Sequence, residues 1–450
     1  MTTTLQWILA VPTAIGALCF AQPAIAQTPS SAEAAPAPEP VPRPAAAEPG
    51  PADQASDNAE APAEMKFVRR PSSPAPPTPT ATIAAPAGVD VAPAPRRART
   101  MEEVADASVG ELSIRTTRWR YSLNFFGDVS LAGGHPDSSD PLSFSIGAQD
   151  ILIRGELNSN IVATTETAIE PGPDGISIDL ERYYVRWQSA GFFAEAGRTH
   201  TGLGYWNNAY HHGRWLQPTI ARPRWVAFED EGGILPVHWV GADVGARLPL
   251  GAATLNLMAS VGNGRGHIVD DVRSNGDYQS MKAFHGSIEL VGLGVPELRI
   301  GVAGIFDRIP GWSDRTLLPN VSIDETIGGA HIAYVNVPLL FISEGYLVVH
   351  KASGQQWTTY GGFALVGYAF GQLTPYVEVE RIASRGGADP FFAMTDPGEQ
   401  VGSFDTIEGI AGLRLDLTDW TALKLEYRQT RAWDVHTTLY EGVLNWSWGF

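Results

Sequence analysis

The densest collection of side chains able to do chemistry lies between residues 199 and 236. It holds His200, His211, His212, Arg214, Arg222 and Arg224, then the acidic triplet Glu229, Asp230 and Glu231, with Trp206, Tyr210, Trp215 and Trp225 among them. Three chemistries suit these residue types. Cations facing carboxylates across a gap set a transverse field, which sorts solutes by charge and dipole. The adjacent His211 and His212 suggest a metal. Neighbours in sequence seldom serve one tetrahedral site, however, and neither a Cys nor a His-x-x-x-His pair supports them. No metal and no cofactor is therefore expected. Hydrolysis needs a nucleophile set, and neither G-x-S-x-G nor a defined Ser/His/Asp group is present, so the chain is not expected to be an enzyme. Two readings of the segment stay open. Arg214, Arg222 and Arg224 face the triplet across an opening, or the segment is a surface loop whose arginines and carboxylates neutralise one another.

The surrounding chain decides what such a segment can be attached to. The formal net charge of -18 leaves no basic patch to neutralise phosphates, which excludes nucleic acid as a partner. The single cysteine, Cys19, lies in an apolar N-terminal stretch, so residues beyond it can form neither a disulfide framework nor a zinc ribbon. That stretch, Leu5 to Phe20, is short for a membrane span and is interrupted by Pro12. Ala24-Ile25-Ala26 follows it as a small-x-small cleavage pattern, and residues 1–26 read as a signal peptide, although no Lys or Arg precedes the apolar run. Residues 27–118 are dominated by Pro and Ala with almost nothing to bury. They are expected to form a disordered, extended periplasmic tether, with a short helix over Thr100 to Leu112.

From Trp119 to Phe450 the pattern changes to short alternating segments separated by Gly, Asn, Asp and Pro, with no helical periodicity and no long apolar run. These predict about sixteen strands, near 119–132, 142–156, 160–170, 176–188, 191–198, 237–248, 252–262, 278–291, 297–307, 323–335, 338–350, 356–370, 373–383, 404–416, 420–431 and 436–450. Every second link is short, and the intervening ones are mostly longer, the longest being 199–236. Tight turns on one side and longer loops on the other belong to a transmembrane antiparallel β-barrel. An even count returns both ends of the barrel to the tight-turn, periplasmic side.

Alternation also sorts the side chains. Ile151 and Ile153 oppose Arg154 and Glu156; Leu413 opposes Glu408 and Arg414; Leu423, Leu425 and Tyr427 oppose Lys424, Glu426 and Arg428. Strand side chains point alternately to the two faces. The charged set, of both signs, is thus expected to face a water-filled lumen, since a dry core would not hold it unpaired. In the last segment Tyr440, Trp446, Trp448 and Phe450 share one face, as in an interfacial aromatic girdle. The acidic stretches Asp270-Asp271 and Asp389 to Asp396 are expected in outward loops as solvated charge.

With strand number, parity and terminal Phe450 together, residues 119–450 resemble the sixteen-stranded porin superfamily of Gram-negative outer membranes. Gly197 to Gly213, GRTHTGLGYWNNAYHHG, is similar to the strand exit of the phosphate-selective porin O and P group. The resemblance implies an outer-membrane channel for small hydrophilic solutes or ions, with the long loop folded inward as constriction. It also implies a homotrimer, contact with membrane lipid and lipopolysaccharide, and a final aromatic strand read by the barrel assembly machinery. Phosphate specificity does not carry over, because this barrel is more acidic than basic and an anion channel leans the other way. A non-conducting barrel for adhesion or envelope anchoring is the alternative. A plugged transporter is disfavoured, since it needs a globular plug and about 22 strands.

Overall fold

The computed structural model describes residues 114–115, 119–134, 142–157, 160–172, 175–210, 213–229, 231–269, 271, 276–278, 280–393, 405–433 and 436–450. The signal peptide, the Pro/Ala tether and the helix expected over Thr100 to Leu112 lie outside the described residues, as do His211, His212 and Asp230.

The fold is all-β. Its long strands are β1 (Trp119–Gly133), β2 (Gln149–Leu157), β3 (Ile161–Gly172), β4 (Gly175–Ser189), β5 (Phe192–His200), β6 (His238–Leu250), β7 (Ala253–Gly262), β8 (Ala283–Val291), β9 (Leu298–Ile309), β10 (Ile323–Asn336), β11 (Leu339–Ala352), β12 (Gln355–Tyr368), β13 (Leu373–Arg385), β14 (Thr406–Asp416), β15 (Thr421–Ala432) and β16 (Thr437–Gly449). Each pairs antiparallel with its sequence neighbour, and β16 closes on β1 from Gly442↔Gly133 to Gly449↔Phe126. Two short pieces, Ile114–Arg115 and Ser143–Ile146, join the same sheet against β1. The result is a closed sixteen-strand barrel in which every long strand is paired on both sides.

The strand boundaries agree with the alternation, with two local exceptions. The segment read as 142–156 is broken at 147–148, so that only Gln149–Leu157 is a full strand. The segment read as 278–291 joins the ladder only from Ala283. Parity holds as well. The links of one side are tight, such as Ala190-Gly191, where φ of 48° and 84° at two successive residues matches the type I′ hairpin geometry. The other side carries 201–237, 263–282, 310–322 and 386–405, although Ser353-Gly354 on that side is itself a two-residue turn.

Burial separates the two walls. Along β15, Lys424 and Glu426 are buried while Leu425 and Tyr427 are about half exposed; along β13, Glu378 and Glu380 are buried and Val377 and Val379 exposed. Since a soluble protein would do the reverse, apolar side chains form the outer wall and ionisable ones the inner wall, as a barrel surrounded by hydrocarbon requires.

Candidate functional site

The segment between β5 and β6 makes a series of contacts with inner-wall side chains. Its residues Thr201 to Asn207 and Trp215 to Ile220 are all buried. The inner-wall charges explain why. Gly204 turns the chain with φ 74°, and a side chain there would collide with the Glu344 carboxylate. That close approach lets one oxygen of Glu344, on β11, accept the amides of Tyr205 at 2.9 Å and Trp206 at 2.6 Å. These amides precede and begin the single-turn helix α1 (Trp206–Ala209), which lacks a side-chain cap of its own. Trp206 and Trp225 are fully buried; at about 150–250 Å² each, this is worth on the order of 4–6 kcal/mol per ring.

The segment then meets one wall after another. Asp150 on β2 accepts the amide of Gly213 at 2.9 Å, and Asp128 on β1 pairs with Arg214 at 3.3 Å. Lys424 on β15 donates to the carbonyls of Arg214, Gln217 and Thr219 at 2.5, 2.7 and 2.9 Å. Arg414, its cross-strand partner on β14, donates to the carbonyls of Trp215 and Gln217, both at 2.8 Å. Glu426 accepts the amide of Ile220 at 2.5 Å, and Glu380 on β13 accepts those of Arg224 and Trp225 at 3.0 and 3.1 Å. Four wall carboxylates thus take main-chain amides, and two wall cations take main-chain carbonyls. Irregular backbone inside a barrel must find such partners.

The candidate residues therefore sort differently from the expectation. Arg154, Glu156, Glu408, Arg414, Lys424, Glu426 and Arg428 do lie on the inner wall. Lys424 and Glu426 do not face water there, because the segment covers them. Others pair along their own strand, Arg154 with Glu156 at 3.1 Å and Arg428 with Glu426 at 2.5 Å, while Glu408 accepts the hydroxyl of its cross-strand neighbour Thr430 at 2.5 Å.

Arg214, Arg222 and Arg224 take separate partners, and Asp230, in the middle of the acidic triplet, lies outside the described residues. Arg222 is buried within the segment, donating to the carbonyls of Val226 at 2.6 Å and Tyr210 at 3.2 Å and lying 4.2 Å from the Phe228 ring centroid. Burial pulls its guanidinium down to about 10, against the carboxylates of Glu231 and Glu229, so it stays charged at neutral pH. Arg224 reaches the Thr406 hydroxyl at 3.3 Å.

Glu229 is buried too. One oxygen accepts the amides of Val237 and His238, at 2.6 and 2.9 Å; the other meets Nδ1 of His238 at 2.8 Å. Burial opposes its ionisation, but His238 outweighs that and holds the carboxyl at about 2. Glu231 is exposed, and the ring of His200 meets that of His238 edge-on at 6.0 Å.

Two histidine centres went unread in the sequence. His238 lies between Glu229 and Glu181, the latter 2.6 Å from Nε2. His350, on β11, lies between Asp389 at 2.8 Å and Glu325 at 3.0 Å. Asp389 is therefore no solvated loop charge: it ties the 386–393 segment to the wall and buries Phe391 and Phe392 with it. Arg265 connects the two regions, pairing with Glu325 at 3.1 Å and donating to the Ile234 carbonyl at 2.5 Å. The only signal for these groups was an isolated ionisable residue at an inward position, such as Glu344 in LLFISEGYLVV. The partner is invisible locally. Among the described residues no cluster of His, Cys, Asp or Glu has the arrangement to hold a metal.

No protein-family model matches the chain, and no curated protein matches its sequence. Solved structures of the same fold do. An outer-membrane channel, DcaP of Acinetobacter baumannii, aligns with a TM-score of 0.54 at 11% identity, covering 75% of this chain and 99% of that one. An anion-selective porin from Comamonas acidovorans aligns at 0.51 and 12% identity, over 74% of this chain and all of the other. A trimer form of the outer-membrane protein OmpT of Vibrio cholerae aligns at 0.50 and 8% identity, over 74% and 100%. At such identities the likeness is one of fold: this chain has the closed sixteen-strand architecture of outer-membrane porins.

Proposed function

We propose that the protein is an outer-membrane porin, a water-filled passage for small hydrophilic solutes or ions, in which the 201–237 segment narrows the opening. The observation that carries this is the inversion of the two walls, apolar outside and ionisable inside, in a barrel whose longest link is fastened across its interior by Glu344, Lys424, Glu426 and Glu380. The same fold in a named channel and a named porin supports the reading. No catalytic activity is assigned to it. An acidic inner wall on β13 to β15, where Glu380 stands directly across from Glu408, favours cations over anions. Small outward residues such as Gly409 and Ala411 leave room for a neighbouring copy, and the trimer form of a structural neighbour supports a homotrimer.

A non-conducting barrel is the second reading. It is favoured by the burial of Lys424, Glu344, Phe391 and Phe392. Single-channel conductance of the purified barrel in a planar bilayer, with reversal potential in a KCl gradient, separates the two. Discrete steps with a cation-side reversal support the porin. An anion-side value removes the acidic-wall argument, and correctly folded protein that gives no steps removes the channel.

A further inference from the structure

Three of the long links and the 201–237 segment are tied to one another as well as to the wall. Arg265, in the link after β7, is buried where they meet. Its amide donates to Asp307 on β9 at 2.7 Å, its Nε pairs with Glu325 on β10 at 3.1 Å, and its Nη2 donates to the Ile234 carbonyl of the segment at 2.5 Å. The same guanidinium lies 5.2 Å from the ring centroid of Phe391, in the link after β13. That link is held through Asp389 to His350, whose Nε2 meets the Glu325 oxygen that Arg265 also uses.

The link after β9 completes the circuit. Arg315, buried within it, donates to the carbonyls of Val321 at 3.0 Å and Pro310 at 3.3 Å, and reaches the His267 carbonyl in the link after β7 at 3.2 Å. Thr316 donates to the Ala393 carbonyl at 2.8 Å. Apolar side chains follow the same plan. Ile234 and Leu235 of the segment, Val269, Phe391 and Phe392 share one buried cluster, and Trp312 packs against it. The gap where segment, link and wall meet is only about 10 Å³, room for a single water. Lifting any one of these stretches alone would strip apolar cover from the others and leave a buried charge without its partner.

We propose that the 231–237 end of the segment and the links 263–269, 310–322 and 386–393 form one cooperative body, coupled through Arg265, that opens or closes the long-link side of the barrel in a single step. A contact made from outside on 386–393 then acts on the segment beneath it. The inference rests on reading that segment as the narrowing of the passage.

The test is hydrogen–deuterium exchange of the full barrel, comparing Arg265→Met and His350→Ala singly and together. Arg265→Met should speed exchange about tenfold over all four stretches, as loss of a shared fastening does in a cooperative unit. His350→Ala should speed it over 386–393 and also over 231–237, with which His350 shares no described hydrogen bond. Added to Arg265→Met, it should change 231–237 no further, because the coupling group is already gone. Heat-modifiable gel mobility and unchanged exchange in β10 and β11 establish that the barrel is folded. If His350→Ala fails that check, Glu325→Gln, of the same shape and shared by both partners, takes its place with the same expectation. Faster exchange confined to 263–269 in Arg265→Met, or to 386–393 in His350→Ala, overturns the proposal. So do additive effects of the two substitutions over 231–237. Exchange needs no current, so the two readings fail separately: a cooperative response without conductance steps keeps the body and removes the channel, and steps with exchange confined to single links do the opposite.

Discussion

Replacing Lys424 with Met should free one limb of the internal segment while leaving the barrel intact. The ammonium is fully buried and donates to three carbonyls, of Arg214, Gln217 and Thr219. Methionine keeps the stem and removes all three bonds. Bonds to a charged group are worth about 1.5–3 kcal/mol each, and the desolvation of the buried ammonium offsets much of the total. Arg414 still holds the Trp215 and Gln217 carbonyls, so the net local loss is about 3 kcal/mol. A local opening equilibrium weakened by that amount exchanges amide protons about a hundredfold faster. Hydrogen–deuterium exchange of peptides over 213–221 should show this, while peptides from β14 and β15 remain protected by the ladder. Conductance should rise or become noisier. Unchanged exchange over 213–221 would refute the claim that Lys424 anchors the segment, because nothing else on the inner wall serves the Thr219 carbonyl among the described hydrogen bonds.

Other tests address other fastenings. The Glu229 carboxyl is held at about 2 against an ordinary 4.5, so its contribution, on the order of 3 kcal/mol, is complete above pH 4.5 and is lost as the pH falls towards 2. Tryptophan fluorescence, reporting on Trp206, Trp215 and Trp225, should change across that window in the wild type and stay flat in Glu229→Gln; identical profiles would exclude Glu229. Substituting His350 with Ala removes the link between Asp389 and Glu325 and should speed proteolysis or exchange over 386–393, with β11 unaffected. Gly204→Ala places a side chain at φ 74° against Glu344 and should displace α1 at a cost of about 1–3 kcal/mol, read as faster exchange over 204–210. Arg222→Ala and Arg224→Ala should differ from one another. Loss of the buried Arg222 should loosen the segment and alter conductance, whereas loss of the Arg224 side chain leaves its main-chain bond to Glu380 in place.

The barrel was legible because its rules are local. Strand side chains alternate with period two whatever lies opposite, so Leu425 against Lys424 and Trp446 against Asn445 declare their walls from the sequence alone. Breakers mark the turns, and parity follows from counting them. What the inward charges would meet was not local. Ile220 and Glu426 are 206 residues apart and Arg214 and Lys424 are 210 apart, and nothing near either partner announces the other. The charges read as the lining of a wet lumen are in part the fasteners of a buried segment. The arginines and carboxylates read as a filter are in part internal struts, because irregular backbone enclosed by a barrel must have its amides and carbonyls satisfied. The sequence by itself determined how many strands there are and which way each side chain points. Only the closure of the sheet, which sets β11, β13 and β15 around the chain leaving β5, decided what those side chains touch.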